Sequence, residues 1–200
     1  MAENKMDLAE WAIAQFVATG HKTLVFFERI AAADWVNDNV PLRAAKCLQG
    51  RLASSPQVWC RTYHSGMDRK ERDRVLEEFR AQKSGALLAC RGLDEGVDIP
   101  DVDGAVLVAS TQAARQRIQR IGRTLRRGNS CKRPIILTLS ARGTGDEGVT
   151  INDQEEFQNV ARIHEVSATE CSALMQKLLS GKRPHPLSEC MEVGDLGVRH

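Results

Sequence analysis

The sequence predicts an α/β protein: a doubly wound parallel sheet of about five strands, with extra helices at its C-terminal end. Three observations carry that prediction. Five short runs rich in β-branched and apolar residues read as strands buried on both faces, as parallel strands are. Helical patterns lie between them, and parallel neighbours require such crossovers. A chain of 200 residues, 42% hydrophobic and 27% charged, suffices for one such domain with helices appended, and can bury its core without staples.

In chain order, a helix over 7–19 ends at Gly20 and leads into a first strand over 22–27. Two helices, 28–38 and 41–53, fill the first connection. The second strand spans 58–63, and a helix over 68–82 follows, with Asp68 as its N-cap and Val75, Leu76 and Phe79 on one face. Strands over 85–89 and 104–109, a helix over 111–125 and a fifth strand over 134–139 complete the sheet. Residues 140–145 read as a loop, and 152–166 and 168–179 as two further helices. The tail from Gly181, carrying Pro184, Pro186, Gly194 and Gly197, is expected to be flexible.

Composition excludes several classes. No apolar run approaches the roughly 20 residues of a membrane span. The N-terminal residues lead into a helix carrying Asp7 and Glu10, unlike a signal peptide, so a cytoplasmic, nucleoid or nuclear location is expected and no membrane partner. The six cysteines form no Cys-x-x-Cys pair, which predicts reduced, mostly buried thiols and no metal site. The net charge of +2 conceals a basic block: nine Lys and Arg residues and no acid between Gly104 and Gly145. From Asp146 onward ten acids face five bases. Such a block usually faces phosphate.

The strongest local signal is Gln119-Arg120-Ile121-Gly122-Arg123-Thr124-Leu125-Arg126. On a helix, Gln119, Arg123 and Arg126 share a stripe within roughly 60° of arc, while Ile118, Ile121 and Leu125 form a second stripe more than roughly 100° away. The helix can bury its aliphatic side and present an amide and two guanidiniums, which suit a polyphosphate. For the arginines alone, a solvated basic face is an equal account. A second signal is the strand over 85–89 running into Cys90-Arg91-Gly92-Leu93-Asp94-Glu95-Gly96-Val97-Asp98-Ile99-Pro100, a glycine-punctuated loop where open α/β sheets place ligands. There Gly96 permits close backbone approach and Asp98 can accept from ribose hydroxyls, though taken alone the pair is better explained by an ordinary turn. A third is His64-Ser65-Gly66-Met67 ahead of the 68–82 helix, a hydroxyl with backbone N–H groups that make a phosphate seat or a plain capping loop.

In this order and spacing these elements resemble the C-terminal RecA-like domain of superfamily 2 helicases. Lys22–Phe27 looks like motif IV, His64–Arg80 like the H-S-x-M-x-x-x-E-R segment after it, Leu87–Pro100 like motif V, and Gln119–Arg126 like the Q-x-x-G-R-x-x-R of motif VI. The resemblance implies a RecA-like domain over 22–140, and the residue patterns add an N-terminal helix within 1–21, a helical extension over 141–180 and a tail over 181–200. It implies that Arg123 and Arg126 are arginine fingers on the γ-phosphate with Gln119 beside the nucleotide. Gly96 and Asp98 would line its ribose, and Ser65, Gly66, Cys90, Arg91 and Arg120 would lie toward the nucleic-acid backbone. Gln119 and Leu125, where DEAD-box RNA helicases carry histidine and RNA helicases usually glycine, lean toward DExH or DNA-repair and restriction-type motors, hence DNA, with RNA possible. Cys90-Arg91 stands where motif V commonly has Thr-Asp.

Two parts of a complete motor are absent from the 200 residues: a G-x-x-x-x-G-K-[ST] loop and an acidic magnesium box. Gly20-His21-Lys22-Thr23 lacks the loop's glycines and precedes a strand instead of following one. ATP and Mg2+ are therefore expected to be shared with a first RecA-like domain, in cis or in trans, and no ATPase is expected alone. A non-catalytic nucleic-acid-binding or regulatory module is the alternative. A Rossmann-type enzyme fails on the missing G-x-G-x-x-G after the first strand.

Overall fold

The computed structural model describes residues 3–48, 58–90, 102–108, 134–141, 166–179 and 196–197. Helix α1 (Glu3–Ala18) leads to strand β1 (Lys22–Phe27), helix α2 (Ile30–Leu48), β2 (Cys60–His64), α3 (Arg69–Ala81) and β3 (Gly85–Cys90). Strands β4 (Gly104–Leu107) and β5 (Ile135–Ser140), helix α4 (Ala168–Leu179) and β6 (Leu196–Gly197) follow. The strands form one sheet in the order β2-β3-β1-β4-β5-β6, every pair parallel. The five expected strands are all present, the first as expected and the others with ends shifted by at most two residues. The two-residue β6, which pairs Leu196 with Leu139, has no counterpart in the sequence reading.

The sheet is covered on both faces because alternate residues of each strand feed different cores. Val25, Phe27, Leu88, Cys90, Val106 and Leu137 point to the side packed by α1, α2 and α4. Leu24, Phe26, Leu87, Ala89 and Leu107 point to the side where α3 lays down Val75, Leu76 and Phe79, the face its periodicity predicts. Asp68 caps α3 as expected, its carboxylate accepting from the Glu71 N–H at 2.8 Å. Gly20 ends α1 at φ +79°, with Gly20 N–H donating to the Val17 carbonyl and His21 N–H to that of Phe16. That pair of bonds is a Schellman motif, and the left-handed residue it needs is the reason for glycine there.

The first connection differs from expectation. One helix, α2, runs through Pro41 where two were predicted. Proline removes the N–H that would reach the Asn37 carbonyl and crowds it, which ordinarily breaks a helix. Here Ala33, Val36, Val40 and Ala44 form one fully buried stripe that continues across the proline. Beyond it, Arg43 reaches Glu10 at 3.1 Å and the Gln15 amide donates to Cys47 Sγ at 3.2 Å, so both tie α2 back to α1. Tertiary burial outweighs the local break. The expected helices over 111–125 and 152–166 lie outside the described residues, Val166 excepted. Among the described residues, no helix is long and apolar enough to cross a membrane.

Candidate functional site at the carboxyl edge of the sheet

Because every strand runs the same way, all carboxyl ends share one edge. β1 is central, with β3 on one side and β4 on the other. From β1 the chain crosses through α2 to the outermost strand, β2; from β4 it proceeds the opposite way, to β5. The divergence makes a topological switch point, where open α/β sheets hold their ligands. Both motif-bearing stretches leave from this edge: the one after Cys90 at the end of β3, and the one after Val108, which donates to the Phe26 carbonyl at 3.0 Å just past β4.

Register lines the edge up. Cys90 sits between Phe27 of β1 and His64 of β2. Its side chain is only 2% exposed and packs into the α1–α2 core, so it is the backbone of Cys90 that lies at the edge, not a free thiol. Past β2, Ser65 and Gly66 are exposed. The Gly66 N–H donates to His64 Nδ1 at 3.2 Å, and the Met67 N–H to the His64 carbonyl at 3.1 Å. A Cβ on Gly66 would lie 3.0 Å from His64 Nδ1 and 4.0 Å from Ile30 Cδ1, at the start of α2.

These bonds favour the capping loop of the two accounts this turn allowed. Three of the backbone donors there are already engaged: Gly66 and Met67 by His64, and Glu71 by the Asp68 carboxylate. That carboxylate stands where an anion would sit at the helix start. The turn offers the exposed Ser65 and close approach over Gly66. Gly96, Asp98, Arg91, Gln119, Arg120, Arg123 and Arg126 lie outside the described residues.

The opposite edge holds the residues that superficially suggest a phosphate loop. Lys22 is buried, and its Nζ donates to the Arg80 carbonyl at 3.1 Å while lying 4.8 Å from the centre of the Phe79 ring. A cation on the last turn of α3 stabilises that helix end. Its role at the amino ends of the strands is structural, and periodicity alone carried no sign of it.

Among the described residues Cys60, Cys90 and Cys171 are buried and Cys47 is exposed, and none of the four is in a disulfide. Burial pushes the Cys60 thiol up to about 12, against a smaller opposing pull from Arg61, and that of Cys171 up to about 11. Both are inert at neutral pH. No group of three His, Cys, Asp or Glu side chains among the described residues could hold a metal ion.

A two-faced parallel sheet whose motif-bearing connections start at one switch-point edge defines a RecA-like α/β domain. The chain belongs to the helicase conserved C-terminal domain family, which it matches over residues 5–128. It is 34% identical over 79 residues to the DNA 3'-5' translocase XPB2 of Sulfurisphaera tokodaii, a match covering 40% of this chain and 18% of that one. It is 26% identical over 145 residues to the ATP-dependent RNA helicase DDX55 of Danio rerio, covering 72% and 22%. The fold is shared with the C-terminal domain of the DEAD-box protein Dbp5, with TM-score 0.64, 17% identity, and 90% and 92% of the two chains covered. The chain thus spans between 11% and 22% of the length of the curated relatives it matches.

Proposed function

We propose that this chain is the second motor domain of an ATP-dependent superfamily 2 helicase or translocase acting on DNA. The observation that supports it most is the shared origin of both motif-bearing stretches at the switch-point edge, after Cys90 and after Val108. In this reading Arg123 and Arg126 are arginine fingers, Gln119 lies beside the same nucleotide, and Gly96 with Asp98 lines its ribose. The nucleic-acid track runs over Ser65, Gly66, the Cys90 backbone, Arg91 and Arg120. A guanidinium pair with an amide is a donor set that fits a polyphosphate. Lys22 is committed to α3, and the 200 residues carry neither a G-x-x-x-x-G-K-[ST] loop nor an acidic magnesium box. A first motor domain therefore brings the phosphate-binding lysine and the magnesium carboxylates. ATP and Mg2+ supply the phosphoryl chemistry when bound; this chain's part is to position charge and strand. The preference for DNA rests on Gln119 and Leu125; the relatives include both a DNA translocase and an RNA helicase.

The test is Arg126→Ala in the protein joined to its first motor domain. Strand binding is expected to survive while stimulated ATP turnover falls by roughly 10³–10⁵, as in other phosphoryl transfers that lose an arginine finger. Near-normal turnover would refute the finger assignment. The 200-residue chain by itself is expected to show no ATPase, and to bind single-stranded DNA more tightly than RNA, with a steep dependence on salt.

A further inference from the structure

We propose that His64 is a positioning residue of the strand-binding edge. Its ring Nδ1 holds the Gly66 N–H, and the turn so fixed presents the Ser65 hydroxyl to a nucleic-acid phosphate. The inference rests on the strand-binding reading above and adds a residue to it. One residue closes this turn twice: the His64 carbonyl accepts from Met67 at 3.1 Å, and its imidazole accepts from Gly66 at 3.2 Å. Two N–H groups in succession are consumed by the same residue, and Ser65, between that residue and them in the chain, is left exposed.

The anchor is rigid at its base. His64 is the last residue of β2, half-buried, and registered against Cys90, whose side chain is locked in the core. The ring also packs against Gly66 so closely that a Cβ there would come within 3.0 Å of Nδ1 and 3.3 Å of Cε1. For Nδ1 to accept, its lone pair must be bare, so the neutral ring carries its proton on Nε2. A side chain with an acceptor at the Nδ1 position preserves the turn; an isosteric apolar one releases it. A polar site of this kind works only when its support is itself held.

The full chain, labelled with 15N, provides the test. Long-range ring correlations in the wild type should show His64 with its proton on Nε2; a proton on Nδ1 overturns the proposal. Binding of a fluorescent single-stranded DNA oligonucleotide is then compared in His64→Asn, whose Oδ1 replaces the acceptor, and His64→Leu, which removes it. Loss of one hydrogen bond's worth of ordering predicts about fivefold weaker binding for the leucine variant and a change within about twofold for asparagine. Equal binding by wild type and the leucine variant, or an asparagine variant as weak as leucine, overturns the positioning role. If the leucine variant does not fold, Gly66→Ala takes its place, since the added methyl must displace the ring. A wild-type chain that ignores the oligonucleotide sinks the strand-binding reading and the ligand half of this one. Exchange of the Gly66 amide still judges the anchor: protection in wild type and the asparagine variant but not in leucine supports it, and equal exchange in all three overturns it.

Discussion

Replacing Gly104 with alanine places a methyl group on β4 against Phe16 of α1. The new Cβ would lie 2.6 Å from Phe16 Cε1, 3.2 Å from Phe16 Cζ and 3.1 Å from the Ile135 carbonyl oxygen. Carbon atoms pack best at about 3.5–4.0 Å, so the ring must retreat by roughly 1 Å. Phe16 is fully buried, its ring edge-on to His21, and Ile135 is fixed as the strand partner of Gly104. Neither neighbour yields cheaply. Overpacking of this kind costs about 1–3 kcal/mol, and both walls being fixed argues for the upper half of that range. Alanine recovers about 0.4–1 kcal/mol by restricting the unfolded chain. The net expectation is a loss of about 2 kcal/mol, or about 4–8 °C in Tm for a chain of this size. Urea and thermal unfolding measure it, and a cycle with Phe16→Leu isolates the contact. With leucine at 16 the ring edge is gone, and the alanine should cost less than about 0.5 kcal/mol further. A Gly104→Ala protein within about 0.5 kcal/mol of wild type, or a cost unchanged in the leucine background, would refute the close-approach argument.

Pro41→Ala should stabilise the protein by about 1–3 kcal/mol, because the helix already continues through this position and alanine restores the missing N–H; a neutral or destabilising outcome in urea would show that the proline ring's own packing dominates. The buried thiols predict an alkaline limit. A thiol whose pKa is raised on folding contributes stability that is intact below the unfolded value of 9.0 and is lost as pH climbs toward about 12 for Cys60 and about 11 for Cys171. Between pH 9 and 11 the wild type should lose about 1.4 kcal/mol per pH unit more than Cys60→Ala does, and parallel pH profiles of the two would contradict the burial argument.

Much of the fold was written locally. Each strand of the sheet is a short run whose both-face hydrophobicity requires burial on two sides, and that requirement selects a parallel sheet with helices above and below. The cap and buried face of α3 follow from Asp68 and the spacing of Val75, Leu76 and Phe79, all within one helix length. Gly20 announces the end of α1 because only a left-handed residue completes that motif.

Features joining distant parts of the chain could not be read in the same way. The continuity of α2 depends on a stripe meeting α1, some thirty residues earlier, so Pro41 by itself gives the wrong answer. The sequence already excludes Lys22 as a phosphate-loop lysine, but its partner, the Arg80 carbonyl 58 residues away, emerges only when β1 and α3 meet. Cys90 turns inward because its position in the strand pleat, set by pairing with Phe27 and His64, aims it at the core. The backbone donors beside Ser65 proved to be spoken for, a matter of ring and turn geometry that residue types do not encode. The sequence alone therefore determined the five main strands, where α3 starts, and which residues carry the helicase motifs, since those depend on neighbours along the chain. The folded structure decided which polar groups remain available at the carboxyl edge, because a hydrogen bond made within the protein removes a donor that no pattern of residues can mark as taken.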